Sequence, residues 1–335
     1  MGFRFRRKES VGKGVTRIAS EQLESAIDTL KETDGHYDRT AIHEARKSVK
    51  KTRAVLRLAQ PRRSGASSRA DRRLQNVGRA LSQVRDADVL LETVDLLRAH
   101  YPARFRGAPF AAMRRELGAM SAETRQHALQ SDGVRDVARH LDTAVDGTRK
   151  WKPHRRGFRA LEPGLEAAFR RARRALADAR ETPNDETYHT WRKRVKTHWY
   201  QVRLLEKIDP KSMKRYAGRL KRLERLLGDD HNLSVLKSCL DRVHVLRERP
   251  DARAKLDESI VHLQSHLRIQ AHALGTEIYG PKPAAFARTL ERGWKRWRKG
   301  RPSSFQLPAT RSQQVTTGNS KLLEAGNWKL VTGNW

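Results

Sequence analysis

His43-Glu44-Ala45-Arg46-Lys47-Ser48-Val49-Lys50 and His189-Thr190-Trp191-Arg192-Lys193-Arg194-Val195-Lys196 share one His, two adjacent cations, an apolar residue and a further Lys at identical spacing. Positions i, i+3, i+4 and i+7 lie on one face of a helix, so each copy aims an imidazole and three cations in a common direction. His43, Arg46, Lys47, Lys50, Ala54 and Arg57 form one side of the first segment, and Ala45, Val49, Thr52, Leu56 and Ala59 form the other. The second segment sets His189, Arg192, Lys193, Lys196, Tyr200 and Arg203 against Trp191, Val195, Val202 and Leu205. Each helix is thus packed behind and cationic in front, over a stripe roughly 21 Å long. A solvated helix face ordinarily mixes signs to gain i,i+4 pairs. These faces are nearly all positive, which costs stability unless an anion screens them. A polyanion is the expected partner.

The offset of 146 residues persists beyond these segments. Arg57 falls on Arg203, Leu58 on Leu204, Leu74 on Leu220, Arg79 on Arg225, Leu81 on Leu227, Asp86 on Asn232, Val89 on Val235 and Leu90 on Leu236. The first helix of each half, with Gln22-Leu23-Glu24 and Gly164-Leu165-Glu166, fits at offset 142 instead. This register implies an internal duplication and two similar helical bundles related by approximate two-fold symmetry. The copies differ where Arg53 meets Trp199 and Arg85 meets His231.

The rest of the chain agrees with that picture. Among 335 residues, 71 Lys and Arg against 38 Asp and Glu leave a net charge of +33 and a pI near 11.1, so the protein repels itself until a partner neutralises it. Period-two strand patterns are missing, and amphipathic segments separated by Pro, Gly and Asp signals predict an all-α fold. Helices are expected over 15–33, 38–59, 67–83, 86–100, 109–130 and 132–149, then over 158–181, 184–206, 210–227, 230–248, 252–274 and 282–298. Residues 1–14 read as a basic arm, 15–149 and 158–298 as the two bundles, Trp151 to Gly157 as a linker, and 299–335 as a disordered tail. The lone Cys239 excludes an internal disulfide and fits a small buried apolar side chain. No apolar run is long enough to span a membrane, so a cytoplasmic protein is expected.

The ordered motifs resemble the CHAD domain family. They are His43-x-x-Arg46-Lys47-x-x-Lys50 and its repeat, Val84-Arg85-Asp86-Ala87-Asp88-Val89-Leu90-Leu91-Glu92, Leu227-Gly228-Asp229-Asp230-His231-Asn232-Leu233, and the arginine-rich Phe169-Arg170-Arg171-Ala172-Arg173-Arg174. The resemblance covers residues 15–298. It implies two helical bundles facing each other across a basic central channel, and binding of inorganic polyphosphate, often on polyphosphate granules. The Glu-x-Glu-x-Lys signature of triphosphate-processing relatives is missing here, so a stand-alone, non-enzymatic binding module without cofactor or metal is expected. Arg46, Arg57, Arg192 and Arg203 suit bidentate phosphate contacts, and Lys47, Lys50, Lys193 and Lys196 act as mobile charges. His43 and His189 can donate to phosphate, which predicts tighter binding below about pH 6.5. Arg79, Arg225, Arg170, Arg173 and His231 complete the candidate polyphosphate-binding set.

Other chemistries are weaker on the same residues. Asp86 and Asn232 are read as N-caps of helices starting there, in preference to metal ligands. His262 and His266 lie one turn apart, without a third ligand evident in sequence. Non-specific nucleic-acid binding is the rival function for such a charge, although aromatic residues for base stacking make up only 6% of the chain. A metal-dependent phosphohydrolase using the Asp229 cluster is a third reading.

Overall fold

The structure, a computed structural model, describes residues 2–31, 39–59, 65–131, 136–149 and 155–302, with backbone only for 65–68, 83, 85–88 and 149. Among the described residues there are helices and turns and no strand. The first half contains α1 (Val11–Lys31), α2 (Arg39–Ala59), α3 (Gly65–His100), α4 (Ala108–Gln130) and α5 (Val137–Arg149). The second half contains α6 (Glu162–Glu181), α7 (Asp185–Leu204), α8 (Pro210–Cys239), the short α9 (His244–Glu248), α10 (Pro250–Tyr279) and α11 (Pro283–Arg298). The expected linker falls largely outside the described residues, as does the expected tail beyond residue 302.

Local chemistry accounts for the ends of the second-half helices. Asn184 caps α7 by accepting from the Thr187 amide at 2.9 Å, and Thr187 Oγ1 accepts in return from the Asn184 amide. Asp209 caps α8 by accepting from the Ser212 amide at 3.2 Å, with Pro210 in the first turn where its missing N–H costs nothing. The helix breaks expected near residues 84 and 228 do not occur: α3 and α8 run straight through them. Leu220, Leu223, Leu227, Leu233 and Leu236 form one continuous buried stripe along α8. That packing outweighs the roughly 1 kcal/mol that Gly228 costs a helix. Residues 86 and 232 therefore lie in helix interiors, and their reading as N-caps is corrected.

Packing follows the same plan in both halves. α2 packs between α1 and α3, and α7 between α6 and α8; α4 lies on α3 as α10 lies on α8, and α5 lies on α1 as α11 lies on α6. The halves join where α2 meets both α7 and α6, and where α3 meets α8. The α2–α6 approach is so close that a Cβ on Gly164 would sit 1.9 Å from the Leu58 carbonyl oxygen. Only glycine allows the two backbones to touch there.

Two apolar cores result, and they do not divide at the linker. The smaller draws only on the first half, from Leu23 to Val145. The larger combines Ala54, Val55, Leu58, Leu90, Val94 and Leu97 with most of the second half. The N-terminal segment expected as a basic arm is clasped to this core. Phe3 and Phe5 are buried, Phe5 meets Trp294 edge-on at 5.7 Å, and its amide donates to the Leu204 carbonyl at 3.1 Å. Arg4 pairs with Glu206 at 3.0 Å, and Arg298 donates to the carbonyls of Arg7 and Glu9. Two aromatic side chains within five residues drive this docking against the segment's charge. Cys239 is buried and free.

Candidate polyanion site

Because α2 and α7 meet in the middle of the molecule, their cationic stripes meet too. Lys50 and Lys196, which coincide at the 146-residue offset, are near enough that each is influenced by the other's neighbours. Burial, then the charges of Lys196, Arg46 and Arg192, push the Lys50 ammonium well below its ordinary range. Burial also lowers Lys196, against the pull of Glu224. Four cations, Arg46, Lys50, Arg192 and Lys196, thus share one largely buried volume.

A carboxylate lies among them. Glu224 Oε1 is 2.7 Å from Lys196 Nζ and 3.5 Å from Arg192 Nε. Burial alone would raise Glu224, but Lys196, Arg192 and Lys50 outweigh it and hold its carboxyl down at about 2. At the matching position the first half has Gly78. Among the described residues, Glu224 is the acid in contact with Lys196 and Arg192, and Asp229 is a second carboxylate near Arg192. Arg192 is packed against Gly228, with guanidinium atoms 3.5 Å from where a Cβ would stand, and Arg46 donates to Ser82 Oγ at 2.9 Å. Gly228 and Ser82 also coincide at the offset, so each arginine has a small residue making room for it. Arg192 Nε is buried and makes no hydrogen bond, its Glu224 contact being long, and His189 Nδ1 is likewise buried without a partner. A buried guanidinium N–H is normally satisfied, so Arg192 is short of an acceptor oxygen.

His189 stacks on His231 with ring centroids 3.8 Å apart. Burial, then Lys193, Arg192 and Lys50, lowers His189 to about 4; burial, then His189, Arg192 and Lys193, lowers His231 to about 3. Both rings are neutral in the empty site near pH 7. The threshold expected at pH 6.5 belongs to an isolated imidazole and does not describe these two. Asp229, alongside, is raised to about 6 by burial despite Arg192 and Arg225. Asp230 points away from the cluster and binds Arg268 at 2.6 Å, while Arg268 also pairs with Asp185 at 2.5 Å and lies over the Tyr188 ring at 4.3 Å.

The remaining candidates are less central. Lys47 pairs with Glu44 at 2.9 Å, and Lys193 lies 3.9 Å from Glu186. Arg57 turns to Asp71 at 2.9 Å, and Asp71 also takes Arg53 at 2.8 Å, so a first-half acid diverts two of that helix's arginines. Arg203 stacks over Trp199 at 5.2 Å. His43, Arg79, Arg170 and Arg225 are exposed, and Arg173 reaches toward the Pro281 carbonyl between α10 and α11. Arg170 and Arg173, on α6, are not brought into the Lys50–Lys196 cluster.

Glu224, Ser82 and Lys51 are site residues that the sequence reading does not include, and Asp229 enters it only in the phosphohydrolase alternative. Lys51, beside the Phe3 ring at 5.6 Å, is lowered to about 8 by burial and then by Lys47 and Arg203. The offset that paired the cations also set Glu224 against Gly78, and that mismatch was the available signal. Among the described residues no three His, Cys, Asp or Glu side chains gather as a metal site. His262 and His266 form a hydrogen-bonded chain with Tyr101 instead: His262 Nδ1 is 2.7 Å from the Tyr101 hydroxyl, and the two Nε2 atoms are 3.2 Å apart. A cavity of about 470 Å³ lies away from the cluster, lined by Tyr188, Lys237, Val261, Arg268, Ile269 and His272. No helix among the described residues is long and apolar enough to cross a membrane.

A family model described as the CHAD domain matches residues 17–241. The match stops short of α10 and α11, although Ile260, Tyr279, Phe286 and Trp294 pack in the same core as the matched helices. Comparison with curated proteins gives no match. The fold is similar to the crystal structure of the CHAD domain from the plant Ricinus communis, with a TM-score of 0.55 and 15% identity over 79% of this chain and 90% of that one.

Proposed function

The chain belongs to the CHAD domain family, and from that premise we propose that it binds inorganic polyphosphate between α2 and α7, as a non-catalytic module acting in the cytoplasm on polyphosphate granules. The observation that carries this reading is the convergence of Arg46, Lys50, Arg192 and Lys196 in one largely buried cluster where these four cations outnumber the nearby described acids, Glu224 and Asp229. Polyphosphate presents about one negative charge per internal phosphoryl unit and no base edges, so charge density and oxygen geometry are all a protein can read. Guanidinium groups supply forked donors and the lysines supply compact charges. The buried, unpaired Arg192 Nε supports the reading, because an acceptor oxygen is what it lacks. Asp230, next to Asp229 in the acidic run, is committed to Arg268.

The test is competition between long-chain polyphosphate and duplex DNA at physiological salt. It compares wild type, Arg46→Glu with Arg192→Glu, and a control reversing Arg115 and Arg288, which are exposed on α4 and α11. Polyphosphate should win on wild type, the first pair should abolish binding, and the control should retain most of it. Equal losses from both pairs would indicate diffuse charge, and preference for DNA would favour nucleic-acid recognition. Phosphate release on adding Mg²⁺ or Mn²⁺ would make the protein a hydrolase.

A further inference from the structure

The cation cluster has an acid where a pure anion receptor would have none. Glu224 sits deeper than the cations it serves, with 13% of its side chain exposed against 24% for Arg192 and 25% for Lys196. One of its oxygens takes both partners, and the Arg192 contact is long enough that the Nε donor stays unsatisfied. If the pair served the fold alone, the matching helix of the first half would need it as well. Gly78 stands there instead. The duplicated cations thus come as two pairs, whereas Glu224 comes once.

We infer that Glu224 is a resident counter-anion: in the empty protein it takes part of the place of a phosphate, holding the cluster together, and it competes with the bound polyanion for Arg192 and Lys196. This rests on the polyphosphate reading for its natural ligand, but not for its physics, which any small oxyanion can probe. A carboxylate this close to incoming phosphate opposes it through a low-dielectric interior. It therefore lowers affinity while stabilising the free protein. A merely structural ion pair would do otherwise, since its loss would loosen the cluster and weaken both folding and binding.

The experiment compares wild type with Glu224→Gln, which keeps the shape and removes the charge. Glu224→Gln should melt lower than wild type without ligand, bind long-chain polyphosphate on the order of tenfold more tightly at low salt, and show a salt dependence steeper by about one unit, because one net positive charge is freed. Unchanged or weakened binding by a folded Glu224→Gln protein overturns the inference. Thermal melting in inorganic phosphate separates this result from the function itself. If wild type does not bind polyphosphate, the functional proposal fails, yet Glu224→Gln should still gain a phosphate-dependent rise in melting temperature larger than that of wild type. No such gain overturns the inference on its own terms. Should Glu224→Gln fail to fold in phosphate-free buffer, refolding restored by phosphate supports the resident anion, and refolding that phosphate does not restore refutes it.

Discussion

Replacing Gly164 by Ala and Gly218 by Ala makes the same chemical change in two helices, and the structure assigns the two opposite signs. A methyl at Gly164 would lie 1.9 Å from the Leu58 oxygen, 2.6 Å from its carbonyl carbon and 2.8 Å from its Cα. All three are backbone atoms of α2, so no rotamer change relieves the clash. The helices must part by more than about 1 Å, in a core where displacement is felt directly. Overpacking of this kind costs about 1–3 kcal/mol, and the backbone origin puts it at the upper end even after the helix-propensity gain of roughly 1 kcal/mol. At Gly218, exposed in the middle of α8, nothing lies within 4 Å of the added methyl. There Ala keeps its propensity gain and stabilises by about 0.5–1 kcal/mol. Thermal and urea unfolding should show Gly164→Ala melting about 3–5 °C lower and Gly218→Ala slightly higher than wild type. The displaced α2 also carries Arg46 and Lys50, so Gly164→Ala should weaken polyphosphate binding while Gly218→Ala leaves it unchanged. A Gly164→Ala protein with wild-type stability would refute the claimed helix contact.

Three further outcomes follow from side-chain environments. His198 is fully buried among Phe169, Tyr216, Tyr279 and Phe286, and burial lowers it to about 3; its folded value lies below the unfolded one, so its stability contribution is complete above pH 6.5 and is lost as pH falls toward 3, by up to about 1.4 kcal/mol per pH unit. His198→Phe should flatten part of the fall in urea midpoint between pH 7 and 4.5, and an unaltered slope would show that this ring is not the acid-sensitive group. For His189 and His231, held near 4 and 3 by burial and neighbouring cations, phosphate raises the proton affinity, so binding should be level from pH 8 to about 6 and tighten below it; isothermal titration in buffers of different ionisation heat should detect proton uptake at pH 5.5, and its persistence in the His189→Asn, His231→Asn double variant would assign it elsewhere. Arg57→Gln should reduce polyphosphate affinity far less than Arg192→Gln, because Asp71 already engages Arg57 at 2.9 Å, and equal losses would place Arg57 in the ligand shell.

What the sequence could reveal depended on whether the signal was periodic. The all-α class and the α2 and α7 faces were readable because each stripe repeats with the helix, and because Arg46, Lys50, Arg192 and Lys196 keep one offset throughout. Partners set by tertiary approach were not. Asp71 captures Arg53 and Arg57 from another helix, and no spacing within α2 announces that. The acidic run at residues 229–230 suggested a helix start because Asp favours caps, but the Leu stripe from Leu220 to Leu236 overrode the local preference. The N-terminal segment was read by its charge, whereas two phenylalanines decide its position. His231 was identified as a candidate, but its stacking on His189 is a consequence of how α7 lies on α8.

The clasp of Phe3 and Phe5 also bears on the order in which the protein can be completed. The smaller core closes with residues no later than Val145, so it can assemble once the first half has been synthesised. The larger core cannot, because the first turns of α1 and the aromatic pair before it wait for Leu204 and Trp294. Contacts spanning nearly the whole chain close late and slow folding. On the ribosome the opening segment stays apolar and unpartnered until the last helix emerges, which makes it the stretch most in need of chaperone cover during synthesis.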